Sequence, residues 1–233
     1  TVLELGCGLG HIGGELRDLG AIVTFTDGKN FKEVRKRFPN NEVISLDQDT
    51  SWSLNKKFDL VIHWGVLYHL DNWAQDLKIA LKHAKLLCLE TEVIDSDDEN
   101  FQDIKLNEGW YDGCLNKATH FSVGKVENIL KENSLSFKRY DDSGLNADYH
   151  NYSWKSTDSR EHKSGQRRFW FVEMKSENCR FCNKQSLISI YKYSNAPSRA
   201  QYLSTDISDE KTNIELQQCS DCGLIQIGQQ EVS

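Results

Sequence analysis

Short apolar runs alternate with amphipathic stretches through the first ninety or so residues. Residues 2–5 form an apolar run, residues 6–10 a glycine-rich turn, and Ile12, Leu16 and Leu19 then recur at helical spacing until Gly20. Residues 21–26 read as a second strand ending at Asp27. Asn30 can cap a helix running to Phe38, and Pro39 with Asn40 forbids its continuation. Residues 42–46 and 58–63 read as strands, 72–83 as a helix carrying Trp73, Leu77 and Leu81 on one face, and 85–91 as a fifth strand. Strands alternating with helices predict an α/β fold, a Rossmann-like doubly wound sheet covered on both faces.

Beyond residue 92 the pattern loosens. Residues 95–100 are acidic, and 101–122 lack clear periodicity, which suggests an insertion or lid over the carboxyl edge of the sheet. Ser122 can cap a helix to about Asn133. Residues 135–140 and 167–174 read as two strands joined by a polar, aromatic connection far longer than a tight hairpin uses. After Met174 the periodicity changes again, which places a boundary near Ser176 and predicts domains over 1–176 and 177–233. A length of 233 residues accommodates one α/β domain and a small second one.

Composition narrows the function. With 38% hydrophobic and 27% charged residues the chain is neither disordered nor fibrous. No apolar run is long enough to span a bilayer. The net charge of −7 gives no global attraction to nucleic acid and favours a small or neutral substrate. The chain opens on Thr1 directly into a strand with no signal peptide before it, so the native protein is expected to begin upstream.

Seven cysteines are present, and four of them form two Cys-x-x-Cys pairs, Cys179/Cys182 and Cys219/Cys222, leaving Cys7, Cys88 and Cys114 outside. An odd total with paired spacing points to metal in a reducing compartment, with the cytoplasm as the expected location. Four thiolates close a tetrahedral shell, so the expected occupant is a structural Zn²⁺, with iron as a substitute.

In Glu4-Leu5-Gly6-Cys7-Gly8-Leu9-Gly10 the glycines follow a strand and open a helix, a place where backbone must approach a ligand closely. Gly8, Gly10 and Gly13 also satisfy the dinucleotide pattern G-x-G-x-x-G. There, however, the first glycine comes directly off the strand, a place held here by Gly6, and Glu4 would face a pyrophosphate unfavourably. Asp27, after the second strand, can accept from ribose hydroxyls, and Asp47 or Gln48, after the third, can meet an adenine amino group. Taken with residues 58–63, this set resembles the class I S-adenosylmethionine-dependent methyltransferases, over roughly residues 1–174. The resemblance implies that Gly6, Gly8 and Gly10 bind the methionine part of the cofactor and Asp27 its ribose. Glu4 is the motif's acidic residue, and His63 is expected to pack beside the cofactor.

The segment from His63 to Leu70 follows the fourth strand, where open α/β sheets bring ligands together. A hydroxyl acceptor needs a base, and His69, His120 and His150 are the candidates, with His69 favoured. Trp64, Tyr68, Trp110 and Tyr111 can shape a pocket or fill a core. Arg167 and Arg168 can meet a phosphate or carboxylate, although a solvated strand start is the expected role. Residues 146–154 and 165–171 resemble the C-terminal part of methyltransferases found among bacterial surface-polysaccharide and sugar-modifying genes. The second cysteine pair and its surroundings resemble the zinc-binding domain of deoxysugar C-methyltransferases. In those enzymes it precedes the methyltransferase domain, whereas here it follows one, so a second methyltransferase module is conceivable in a longer chain.

The resulting expectation is a methyltransferase that uses S-adenosylmethionine, carries Zn²⁺, and acts on a hydroxyl of a sugar, nucleotide sugar or surface-glycan precursor. The alternatives are sugar C-methylation, an RNA or protein acceptor gripped by the zinc ribbon, and a non-catalytic cofactor-binding module.

Overall fold

A computed structural model describes residues 1–106, 118–133, 136–146, 152, 167–174, 179, 181–182, 186–197 and 211–228. Contacts divide the chain into two compact units, Thr1–Met174 and Lys175–Ser233.

In the first unit, β1 (Val2–Leu5), β2 (Val23–Asp27), β3 (Glu42–Ser45), β4 (Phe58–Trp64) and β5 (Ala84–Glu92) are joined by parallel pairings. The helices α1 (His11–Asp18), α2 (Phe31–Arg37) and α3 (Trp73–His83) fall between them, as the alternating pattern predicts. Period-two alternation sends neighbouring residues to opposite faces. Leu3, Leu5 and Val61 join one core with Leu77 and Leu81 of α3, while Val2 and Ile62 join the other with Val34 of α2 and Phe38. Both faces of the sheet are therefore buried, as a parallel sheet requires.

The sheet continues with β8 (Ser136–Tyr140) and β9 (Arg167–Glu173), giving the order β3-β2-β1-β4-β5-β9-β8. β9 runs antiparallel to both β5 and β8 and fills the slot between them. Before β8, α4 (Val123–Glu132) starts at Ser122, whose Oγ accepts from the Lys125 amide at 3.1 Å. The stretch expected to lack periodicity contains a small antiparallel pair, β6 (Ile104–Leu106) with β7 (Ala118–His120). Strands of three residues are too short to show an alternation in sequence. Trp110, Tyr111 and Cys114 lie outside the described residues.

The second unit is a three-stranded antiparallel sheet of β10 (Leu187–Pro197), β11 (Lys211–Cys219) and β12 (Ile225–Ile227). Among the described residues no helix is long and apolar enough to cross a membrane.

Candidate active site

A cavity of about 460 Å³ opens at the carboxyl ends of β1 to β4, the edge where open α/β sheets receive ligands. Its wall joins the glycine-rich loop at Gly6 and Gly8 to Asp27, Asp47, Gln48, Gly65 and His69. Gly6 takes φ +57, and a Cβ there would come within 2.5 Å of Val66. Any side chain would thus be strained in backbone and driven into the loop that follows β4.

Asp27 ties this wall together. Its Oδ2 accepts from the Gly8 amide at 2.8 Å, and its Oδ1 accepts from the Lys29 and Asn30 amides at 2.8 and 2.5 Å. A carboxylate offers about four lone-pair sites, so one remains for a ligand while the amides fix the group in place. Gln48 is held just as firmly, its Nε2 donating to Asp76 at 3.1 Å. Asp76, on α3, is buried and also accepts from Trp52 Nε1 at 2.7 Å. His63 Nε2 lies 2.6 Å from the same carboxylate. His63, expected beside the cofactor, thus has no exposure and stands outside the cavity lining, where it braces Asp76. Asp76 escaped the sequence reading, although an acid three residues after Trp73 on the apolar face of a helix was the signal for it.

Glu4 and Gly10 also stand off the main wall. Gly10 precedes α1 with φ +73, and its missing side chain leaves room for Phe25 and Phe38. Glu4 Oε2 accepts from the Gly13 amide at 3.0 Å, satisfying one of the free amides at the start of α1. It borders a smaller cavity of about 260 Å³ behind the glycine-rich loop. Burial pushes its carboxyl up to about 7, the Gly13 amide opposes the shift, and Asp27 adds to it. The folded state therefore retains a proton that the unfolded chain has lost, and stability falls as pH rises from about 4.5 to about 7. Glu4→Gln, whose amide oxygen can still accept from Gly13, is expected to flatten this fall, measured as the change in melting temperature between about pH 5 and about pH 8.

His69 ends a short 3₁₀ turn, Leu67–His69, and reaches the cavity wall with its ring against that of Tyr68, centroids 4.0 Å apart and planes tilted by 38°. His120, on β7, is buried with Nε2 3.8 Å from Glu92 Oε1, and it does not line the cavity. His150 lies outside the described residues. Arg167 and Arg168 do not form a solvated strand start. They are 6% and 3% exposed and meet carboxylates, Arg167 at Glu90 (2.9 and 3.0 Å) and Arg168 at Asp95 (3.1 Å). The cause is the insertion of β9 beside β5, which carries the start of β9 into the interior.

In the second unit, the sulfurs of Cys179, Cys182, Cys219 and Cys222 all lie within 4.8 Å of one another. Two of the separations are 3.4 and 3.6 Å, too long for a disulfide. A tetrahedral ion with metal–sulfur bonds of about 2.3 Å would set its sulfurs about 3.8 Å apart, so the donor set fits such an ion. The turn at Cys219 is closed by the Gly223 amide donating to the Cys219 carbonyl at 2.9 Å.

The methyltransferase-domain family matches this chain over residues 1–134, more than half its length. The chain belongs to that family. Among solved structures, the S-adenosylmethionine-dependent methyltransferase from Mesorhizobium loti is 14% identical, with a TM-score of 0.56 over 75% of this chain and 90% of that one. The corresponding figures for a methyltransferase from Clostridium acetobutylicum are 14%, 0.51, 74% and 83%. The N-terminal domain of EvdMO1, solved with S-adenosylhomocysteine and D-fucose, gives 19%, 0.54, 73% and 73%. No curated protein matches. At these identities the structural likeness establishes the fold, and the family establishes a methyltransferase dependent on S-adenosylmethionine.

Proposed function

We propose that this methyltransferase holds S-adenosylmethionine in the cavity along β1 to β4 and methylates a hydroxyl of a sugar, nucleotide sugar or related glycan precursor. The observation that carries the reading is the presence of Asp27 and His69 on one cavity wall, joined through the glycine-rich loop and Gly65. The cofactor supplies an activated methyl on a sulfonium centre with a neutral leaving group. Asp27 uses its remaining acceptor site for the ribose, Asp47 and Gln48 flank the adenine, and Gly6 and Gly8 let the backbone approach the methionine part. His69 takes the acceptor's proton as the oxygen attacks in line. Support for a sugar acceptor comes from the EvdMO1 domain, solved in the presence of D-fucose, and from the resemblance of the cysteine-rich segment to a domain of deoxysugar enzymes. In the second unit, Cys179, Cys182, Cys219 and Cys222 hold Zn²⁺ in a closed structural shell.

The test is transfer of labelled methyl from S-adenosylmethionine to nucleotide sugars and methyl glycosides, with RNA and total protein as competing acceptors. Label is expected in the sugars, and label found only in polymer would overturn the reading. Asp27→Ala is expected to weaken S-adenosylhomocysteine binding roughly 30- to 150-fold, the equivalent of about 2–3 kcal/mol for one charge-assisted bond to the ribose together with the loss of the carboxylate that fixes the Gly8 amide. Unchanged affinity by calorimetry would move the ribose elsewhere.

A further inference from the structure

The three-stranded sheet of the second unit has its polarity inverted. Its register places Ile188 beside Gln218 and Ile225, Tyr191 beside Leu216 and Ile227, and Tyr193 beside Ile214. Directly opposed residues of an antiparallel pair share a face, as do residues two apart along a strand, so these side chains form one face. The irregularity in the pairing between Ser189 and Tyr191 keeps that face continuous, because the extra residue returns Ile188 to the side of Tyr191 and Tyr193. The other face carries Ser189, Gln217 and Gln226 in one row and Lys192 beside Glu215 in the next.

An antiparallel sheet ordinarily buries its apolar face and solvates its polar one. Here Ile225 is 55% and Ile227 44% exposed, whereas Gln226 between them, on the opposite face, is 8% exposed. Ile188, Tyr191 and Tyr193 are likewise about half exposed, and the two tyrosine rings pack at a tilt with centroids 4.4 Å apart. These five side chains present an apolar patch of about 500 Å², at the upper end of what monomeric proteins leave to water. With a polar rim it approaches the roughly 800 Å² that each partner buries in a stable complex. Among the described residues this face also carries no charge, although the chain as a whole has a net charge of −7.

We infer that this face is the interface of a homodimer, closed by a second copy of the same face. A two-fold axis brings a patch against itself, so any charge on it would meet its like. A face without charge is therefore the one on which a chain of net negative charge can self-pair. Two copies stacked in this way form a six-stranded sandwich with its sheets about 10 Å apart. Pairing edge to edge along β10 is disfavoured, because its irregularities between Ser189 and Tyr191 and between Tyr193 and Ala196 interrupt the ladder that a neighbouring strand would extend. Cys219 follows Gln218 and so belongs to the opposite face, which allows the interface to be altered without touching a thiolate.

The test is sedimentation velocity of the full chain from about 1 to about 100 µM. The wild type is expected to sediment as a closed dimer, twice the 26.8 kDa of one chain. Tyr191→Glu with Ile225→Glu, and Tyr191→Lys with Ile225→Lys, each set like charges against one another and are expected to weaken self-association about 100-fold or more. S-adenosylhomocysteine binding and the protease resistance of Lys175–Ser233 should not change. Mixing the two variants is expected to restore a dimer containing one of each, which also shows that both fold. Tyr191→Ala probes the same face without adding charge and is expected to weaken the dimer about tenfold, whereas Lys192→Ala, on the opposite face, should leave it intact. A wild type that stays monomeric, a dimer undiminished by Tyr191→Ala or by both charged variants, or an assembly that grows beyond two copies would overturn the homodimer. So would a mixture that stays monomeric while the second unit of each variant resists protease.

Discussion

Replacing His69 by alanine is expected to lower kcat roughly 10²–10⁴-fold, the range in which a positioned general base contributes. A hydroxyl attacks a sulfonium methyl weakly until its proton leaves, and among the described residues His69 is the histidine on the cavity wall. Its ring packs at a tilt against Tyr68, whose hydroxyl accepts from Arg167. Asp27 and the glycine-rich loop hold their places through bonds that do not involve His69, so S-adenosylhomocysteine affinity should change little. The pH dependence of turnover should lose its imidazole limb. Near-normal turnover would transfer the proton to His120 beside Glu92 or to His150. Joint loss of turnover and cofactor binding would make His69 a contact to the cofactor instead.

The second large effect concerns the thiolates. Elemental analysis is expected to find one zinc per chain, and Cys219→Ser or a strong chelator should unfold Lys175–Ser233 while leaving S-adenosylhomocysteine binding in place. A unit this small has little core, and β10 and β12 leave Ile188, Tyr191, Tyr193 and Ile225 about half exposed. Structural zinc contributes on the order of 10–16 kcal/mol in comparably small modules, enough to decide whether such a unit folds. Limited proteolysis reads the outcome. A metal-free protein whose C-terminal unit resists protease would refute the assignment.

The parts of this molecule readable from sequence are those built from near neighbours. The β1–α1–β2 stretch announces itself because Gly6, Gly8 and Asp27 lie within one short crossover, and the cysteine pairs do so because their spacing is itself the chemistry. The parts that escaped depend on pairing across long separations. Arg167 and Glu90 are 77 positions apart and meet only because β9 enters beside β5 in reverse direction, which no local pattern encodes. His63 follows a related logic: at the end of β4, its ring is held in the core by Asp76 thirteen residues later, off the cavity lining. Glu90 and Glu92 do leave a trace as two acids following the apolar run Leu86–Leu89, and such a strand end merits the same attention as a glycine-rich loop.

The insertion of β9 between β5 and β8 also bears on how the protein is made. A ribosome delivers β1 to β5 first, and the strand that covers the flank of β5 emerges only after residue 166. Until then β5 exposes a row of free amides and carbonyls along a strand containing Leu87, Cys88 and Leu89, a template for pairing with another nascent chain. A product truncated before Arg167 would contain every residue of the family match and still present that bare edge. Such fragments are expected to precipitate during expression, while chains extended through Glu173 remain dispersed.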